Sequence, residues 1–294
     1  MVGGIGVVLQ GHLEKPVIHR NRITAPDGLG KVWDLGPHRI FMGDCLNVLR
    51  GLPPDSVDVI VTSPPYNIGV AYKSYNDRKP RESYLKCIAD VGRELKRVMR
   101  DDASFFLNVG STSSDPWIAQ DVAETLRSLF FLQNNIVWVK SISIGEDTVG
   151  HFKPITSGRF LNHNHEAIFH YTKSGTVRVD RVAVGVPFKD KSNIARWGHK
   201  ADRRCAGDVW FLPYETVKSR AQKFDHPAGF PISLPERCIK LHGREGATVC
   251  DPFLGAGTTL VAAQRLGCSG IGIEVDQQYV KTSIARIRNE ITHK

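Results

Sequence analysis

The sequence predicts an α/β protein built on a mostly parallel sheet with helices on its faces, a closing antiparallel hairpin and one inserted region. Three observations predict it. Apolar, β-branched runs of strand length alternate with stretches of helical periodicity, a basic polar stretch from about 174 to 225 breaks that alternation, and the alternation then resumes. The chain therefore divides into an N-terminal extension (1–36), a first half of the sheet domain (37–173), the insertion (174–225) and a second half (226–294).

The elements follow in order. Residues 1–36 are Gly-rich and then polar, with turn signals at Pro26-Asp27-Gly28 and Gly36-Pro37. From His38 an apolar run ends in the turn Gly43-Asp44, and a β-branched run over 56–63 ends at two prolines, so both read as buried strands. Residues 82–99 place Leu85, Ile88, Ala89, Leu95 and Val98 at helical spacings, and Arg100-Asp101-Asp102 closes that segment. A strand is expected over 104–110, a helix over about 117–129, and two strands over 131–140 and 165–173 that form the closing hairpin. Beyond the insertion come a helix (234–243), a strand (248–253), a helix (258–267), a strand (269–275) and a final amphipathic helix (276–291).

Composition narrows the classes of function. Hydrophobic residues make up 41% of the 294, enough for a substantial core, and no run approaches the ~18 apolar residues of a membrane span. Lys and Arg outnumber Asp and Glu by 39 to 30, which makes a polyanionic partner plausible. The six cysteines (Cys45, Cys87, Cys205, Cys238, Cys250, Cys268) form no C-x-x-C pair, which argues against a zinc site and a disulfide framework and for a reducing compartment. The start has no secretory pattern. Asn162-His163-Asn164-His165-Glu166 has the composition of a metal site, but it runs into an apolar strand without a second ligand cluster, and no metal is expected.

Two segments carry chemistry. The first runs from Asp251 through Pro252, Phe253, Gly255 and Gly257 to Thr258 and Thr259. It is a strand, a glycine turn and a helix start, which lets backbone approach a nucleotide-like ligand at the carboxyl end of a parallel strand. About twenty residues on, Glu274 ends the next strand, where a carboxylate can accept from both hydroxyls of a ribose; Asp276 reads as a helix cap. The second segment is Thr62-Ser63-Pro64-Pro65-Tyr66-Asn67, closing a core strand. Consecutive prolines fix φ and remove two N–H donors, so this turn presents acceptors. An exocyclic amino group is a poor nucleophile, because its lone pair is delocalised into the ring. The Ser63 hydroxyl and a proline carbonyl, accepting its two hydrogens, would draw it toward a pyramidal geometry. Tyr66 supplies an aromatic face for a base taken out of a duplex.

Together these segments resemble the amino-methyltransferases of DNA restriction–modification systems. The catalytic motif precedes the cofactor turn by nearly 190 residues, which is similar to the circularly permuted β class, over about Arg39 to Ile291. The resemblance implies a Rossmann-like S-adenosylmethionine-dependent methyltransferase fold. It implies a cofactor site in which Asp44 meets the adenine amino group with the Cys45 backbone nearby, Phe230 of the 226–231 segment packs near the methionine end, and Asp251, Pro252, Phe253, Gly255, Gly257, Thr258 and Glu274 complete the lining. Ser63, Pro64, Pro65 and Tyr66 match the catalytic tetrapeptide. Ser in its first position favours cytosine N4 over adenine N6, since adenine enzymes mostly carry Asp or Asn there.

The expected activity is thus site-specific methylation of cytosine N4 in a flipped-out base of double-stranded DNA. Transfer is direct, from S-adenosyl-L-methionine, with no cysteine nucleophile: Cys45 and Cys250 read as buried strand residues. The alternatives are adenine N6, RNA methylation and a catalytically silent DNA-binding relative. A nicotinamide oxidoreductase is disfavoured because no G-x-G-x-x-G follows the strand. Lys189, Lys191, Arg196, Arg203, Arg204, Lys218, Arg220 and Lys223 of the insertion, with Lys140 and Arg159, are the candidate DNA contacts. Trp210 is expected to anchor the insertion. The expected setting is cytoplasmic and nucleoid-associated in a prokaryote or nuclear in a eukaryote, as monomer or homodimer, with a cognate restriction endonuclease as a possible partner.

Overall fold

The computed structural model describes residues 30–70, 74–144, 147–150, 158–161, 163–196, 201–213 and 229–292. Their strands form one ten-stranded sheet in the order β1-β2-β10-β9-β3-β4-β7-β5-β6, with β8 also paired to β5. Strands β2 (His38–Met42), β10 (Ser269–Glu274), β9 (Thr248–Asp251), β3 (Val57–Thr62) and β4 (Met99–Val109) run parallel. On β4 lies β7 (His165–Thr172), antiparallel, and on β7 lies β5 (Phe131–Ile144), again antiparallel, which is the expected closing hairpin. β6 (Asp147–Gly150) pairs with β5 beyond it.

Helices cover both faces. α1 (Cys45–Gly51), α2 (Arg81–Val98) and α3 (Ile118–Arg127) pack in succession on one; α5 (Ser233–His242), α6 (Thr258–Arg265) and α7 (Gln277–Thr292) pack on the other. Every residue of β3 is buried, as a strand covered on both faces requires. The α2 stripe is Tyr84, Ile88, Val91, Leu95 and Val98, so the helix is rotated from the expected face: Leu85 and Ala89 are only partly covered, and Tyr84 and Val91 enter the core. α2 ends at Val98, just before the expected stop at Arg100-Asp101-Asp102. Those residues lie inside β4, where a bulge between the pairs Val57–Met99 and Val59–Ser104 absorbs the charged triplet.

Two elements cross the boundaries expected from sequence. β1 (Val32–Leu35), within the stretch assigned to the N-terminal extension, forms the sheet edge against β2 through the turn at Gly36, whose φ of 58° suits glycine. β8 (Val209–Pro213), within the insertion, runs parallel to β5. Trp210 is 2% exposed, donates from its indole N–H to the Gly207 carbonyl at 3.2 Å and carries the Arg237 guanidinium over its ring at 4.9 Å. The insertion is tied to the sheet there, as expected of Trp210. Among its described residues, α4 (Ser192–Arg196) and a bridge between Val186 and Arg204 are the other regular features.

Two buried histidines link β7 and α5 to the core. His170 stacks on Phe106 at 4.4 Å and contacts the Asn134 amide at 2.9 Å, while His242 contacts the Ser104 hydroxyl at 3.1 Å. Burial lowers both imidazoles to about 4, helped at His170 by the nearby His242 and at His242 by Arg244. A folded-state value below the ordinary 6.5 means that the unfolded chain binds more protons between those limits, so stability is full above pH 6.5 and is lost on acidification toward 4. The shift corresponds to about 3 kcal/mol for each site. Thermal melting from pH 7.5 to 4.5 should show a steep acid limb that becomes shallower in His170→Gln and His242→Gln; an unchanged limb would remove these residues as its cause.

Candidate active site

The site forms where the sheet changes winding. β3 leads through α2 to β4 on one side, β9 leads through α6 to β10 on the other, and β3 and β9 are neighbours with Val59 opposite Val249 and Ile60 opposite Cys250. The loops leaving their carboxyl ends diverge to opposite faces and leave a crevice, the usual ligand position in open parallel sheets. At this junction the Thr62 hydroxyl donates to Asp251 Oδ1 at 2.6 Å, and the Phe253 backbone N–H donates to the same oxygen at 3.1 Å. Burial raises the Asp251 carboxyl to about 6 against the pull of these bonds.

A cleft of about 270 Å³ opens above the strand ends. Its floor and walls come from Gly43, Asp44 and Cys45 after β2, Ser63, Pro64 and Pro65 after β3, Pro252 and Phe253 after β9, and Ile273, Glu274 and Val275 at the end of β10. Asp44 caps α1 through the Asn47 N–H at 3.1 Å and stays exposed. Glu274 accepts from the backbone N–H of Gly255 and of Asp276, both at 2.8 Å, so its carboxylate is held in place and faces the cleft. Burial pushes its pKa up, opposed by those two bonds. Asp276 is indeed a cap, accepting from Gln278 N–H at 2.7 Å on entry to α7.

Not every residue expected at the cofactor site lines the cleft. Asp251 is 2% exposed and faces Thr62, below the cleft. Gly255 acts through its N–H on Glu274. Gly257 (φ 85°) precedes α6 and passes so close to Ser283 that a Cβ would lie 2.8 Å from that side chain, and Thr258 accepts from Arg286 at 3.0 Å. Phe230 packs beside the apolar cluster under α5 and α6, and residues 226–228 of its segment lie outside the described residues. Cys45 opens α1 and does not end a strand; burial, with Asp44 beside it, pushes its thiol up to about 12, and burial likewise raises Cys250. Neither thiol is poised as a nucleophile.

The Pro-Pro turn closes β3, as the sequence suggests, and its two carbonyls differ. The Pro65 carbonyl accepts from Tyr84 at 2.9 Å, whereas among the described residues no hydrogen bond reaches the Pro64 carbonyl. Ser63 Oγ lies 2.7 Å from the Tyr66 hydroxyl. The turn continues through Asn67 at φ 60°, and the buried Asp77 carboxylate accepts from the N–H groups of Asn67, Ile68 and Val70 at 2.8, 3.2 and 2.9 Å. Ser74, Tyr75 and Lys79 also line the cleft, and Ser74 donates to Asp276 at 2.6 Å.

Two more residues meet at the site: Asn108 was not singled out from the sequence, and Glu166 was read there only within a stretch of metal-site composition. Asn108, late in β4, and Glu166, second in β7, both reach Tyr66. A polar pair inside two apolar strands is the signal that could have found them. Lys140, expected to meet DNA, instead turns its ammonium onto Glu166. Of the other expected DNA contacts, Arg159, Lys189, Arg196, Arg203 and Arg204 are exposed, Lys191 pairs with Asp202 at 2.5 Å, and Lys218, Arg220 and Lys223 lie outside the described residues. Among the described residues no group of three His, Cys, Asp or Glu is placed to hold a metal.

This sheet order, with a glycine turn and an acceptor-bearing turn at its switch point, defines the methyltransferase type of α/β fold. The PvuII DNA methyltransferase (cytosine-N4-specific) shares it with a TM-score of 0.64 at 18% identity, over 87% of this chain and 93% of that one. A DNA modification methylase of Thermus thermophilus, solved with S-adenosyl-L-methionine, gives 0.59 at 25% identity over 86% and 94%. In sequence, the type II methyltransferase M.BglII of Bacillus subtilis is 31% identical over 256 residues, 83% of this chain and 67% of that protein. The DNA adenine methyltransferase YhdJ of Escherichia coli (strain K12) is 28% identical over 257 residues, 84% and 82%. The family model for DNA methylases of the N6 and N4 type matches residues 57–285, and the chain belongs to that family.

The Thr62–Asp251 bond joins the two halves of the site, so Thr62→Val should leave a buried carboxyl with one donor fewer. We expect a loss of about 1–3 kcal/mol in urea unfolding; an unchanged midpoint would show that the bond is dispensable.

Proposed function

We propose that this DNA methyltransferase acts on cytosine N4 within double-stranded DNA. The observation that carries the reading is the pair of acceptors at one strand end: Ser63 Oγ beside a Pro64 carbonyl that no described residue engages. A neutral hydroxyl in the first position of the turn, in place of a carboxylate, favours cytosine. The second reading, adenine N6, draws on the likeness to an adenine methyltransferase.

The cleft suits the methyl donor, S-adenosylmethionine. A cationic nucleoside needs apolar walls and acceptors at the edge, and here Phe253, Ile273 and Cys45 line the cleft together with Asp44 and Glu274. When bound, the donor supplies a sulfonium methyl activated for direct transfer. Glu274 would accept from ribose hydroxyls and Asp44 from the adenine amino group. Ser63 and the Pro64 carbonyl hold the two hydrogens of the target amino group, which localises its lone pair for in-line attack. Tyr66 offers its ring to the displaced base. The stretch 174–225 serves as the target-recognition region, with Arg159, Lys189, Arg196, Arg203 and Arg204 along the phosphates; replacing any one of them by Ala should reduce the salt slope of binding by about one unit.

Unmethylated genomic DNA incubated with labelled S-adenosylmethionine and digested to nucleosides should yield N4-methylcytosine by mass spectrometry. N6-methyladenine would overturn the base assignment and keep the enzyme class. Ser63→Ala and Tyr66→Ala should abolish most transfer while calorimetric cofactor affinity stays within about twofold; wild-type rates in both would remove the pocket assignment. Glu274→Gln should weaken cofactor binding about tenfold in the same titration.

A further inference from the structure

Behind Ser63 and Tyr66 lies a polar cluster whose hydrogen-bond directions can be deduced. The Lys140 ammonium pairs with Glu166 Oε1, and Glu166 Oε2 accepts from the Tyr66 hydroxyl at 3.0 Å and from Asn108 Nδ2 at 2.6 Å. Asn108 Nδ2 also donates to the Tyr66 oxygen at 2.8 Å. The opposite amide orientation would set two acceptor oxygens 2.6 Å apart, so the nitrogen faces this side. A carboxylate only accepts, an amide nitrogen only donates, and a phenol has one proton. The Tyr66 proton therefore lies on the Glu166 side, and the 2.7 Å contact between Ser63 and Tyr66 is donated by Ser63. With its proton turned back toward Tyr66, Ser63 Oγ offers the cleft only lone pairs.

The direction matters because a hydroxyl, unlike a carboxylate, carries a proton that could point at the substrate and oppose its N–H. We propose that Glu166, clamped by Lys140 and Asn108, is a positioning residue that acts through Tyr66 to fix Ser63 as a pure acceptor for the target amino group. This rests on the assignment of Ser63 as an acceptor. Two further observations fit a built device. A Cβ at Gly110 would come within 3.0 Å of both Glu166 and Tyr66, so the chain leaves this space clear. The other end of the Asn108 amide, Oδ1, is buried with no hydrogen-bond partner among the described residues, a cost the cluster sustains to keep the nitrogen on Tyr66 and Glu166.

The test is a double-mutant cycle with labelled S-adenosylmethionine and unmethylated genomic DNA. Glu166→Gln should lower kcat about thirtyfold or more, with KM for DNA and cofactor affinity within about twofold. In a Tyr66→Phe background the same substitution should change kcat by less than about threefold, because the hydroxyl through which Glu166 acts is gone. If Glu166→Gln does not bind cofactor, Lys140→Met/Glu166→Gln, which removes both charges together, takes its place in the cycle. Wild-type kcat in the Glu166 variant, or losses that multiply fully in the Tyr66→Phe background, would overturn the proposal. Wild-type rates in Ser63→Ala would instead overturn the acceptor assignment beneath it.

Discussion

Parallel pairing of β3 with β9 is the constraint on which the rest of this molecule depends. It sets side by side two strand ends that lie 189 residues apart at Thr62 and Asp251, and the buried hydrogen bond between them closes the junction. One end carries the acceptor turn and the other the glycine turn. Each strand leads through its own helix to a neighbour on the opposite side, so the two loops separate and the cleft opens between them. Without this pairing the two motifs would be unrelated stretches of chain.

The walls of the cleft are held by short hydrogen bonds from fixed groups rather than by long flexible side chains. Glu274 is gripped by two backbone N–H groups, Asp77 gathers three, and Tyr84 fastens the Pro65 carbonyl. A carboxylate that is already satisfied by the backbone loses little freedom when a ligand arrives, so the ordering cost is met on folding. The same economy holds behind the acceptor turn, where Asn108, Glu166 and Lys140 support Tyr66 from strands of the sheet. Strands place side chains more rigidly than loops, which suits groups whose proton directions must not vary.

The basic surface has a different character. Lys140 and Lys191 pair with Glu166 and Asp202. At these two lysines formal charge therefore overstates the charge available to a polyanion. Family membership supplies the DNA substrate, and the exposed cations are its candidate contacts.

Periodicity and punctuation in the sequence determined the alternation of strand and helix, the antiparallel hairpin, the Pro-Pro turn at the end of β3 and the glycine turn at the end of β9, because these are set by local sterics and the spacing of apolar residues. The family motifs determined the chemistry. Tertiary structure alone decided the edge strand β1, the pairing of β8, the rotation of α2 toward Tyr84 and Val91, and the inward turn of Lys140. It also decided that Asn108 and Glu166 meet Tyr66, across 42 and 100 residues of sequence. A hydrogen bond between distant strands depends on register and on which face each side chain occupies, and neither is fixed until the sheet is assembled.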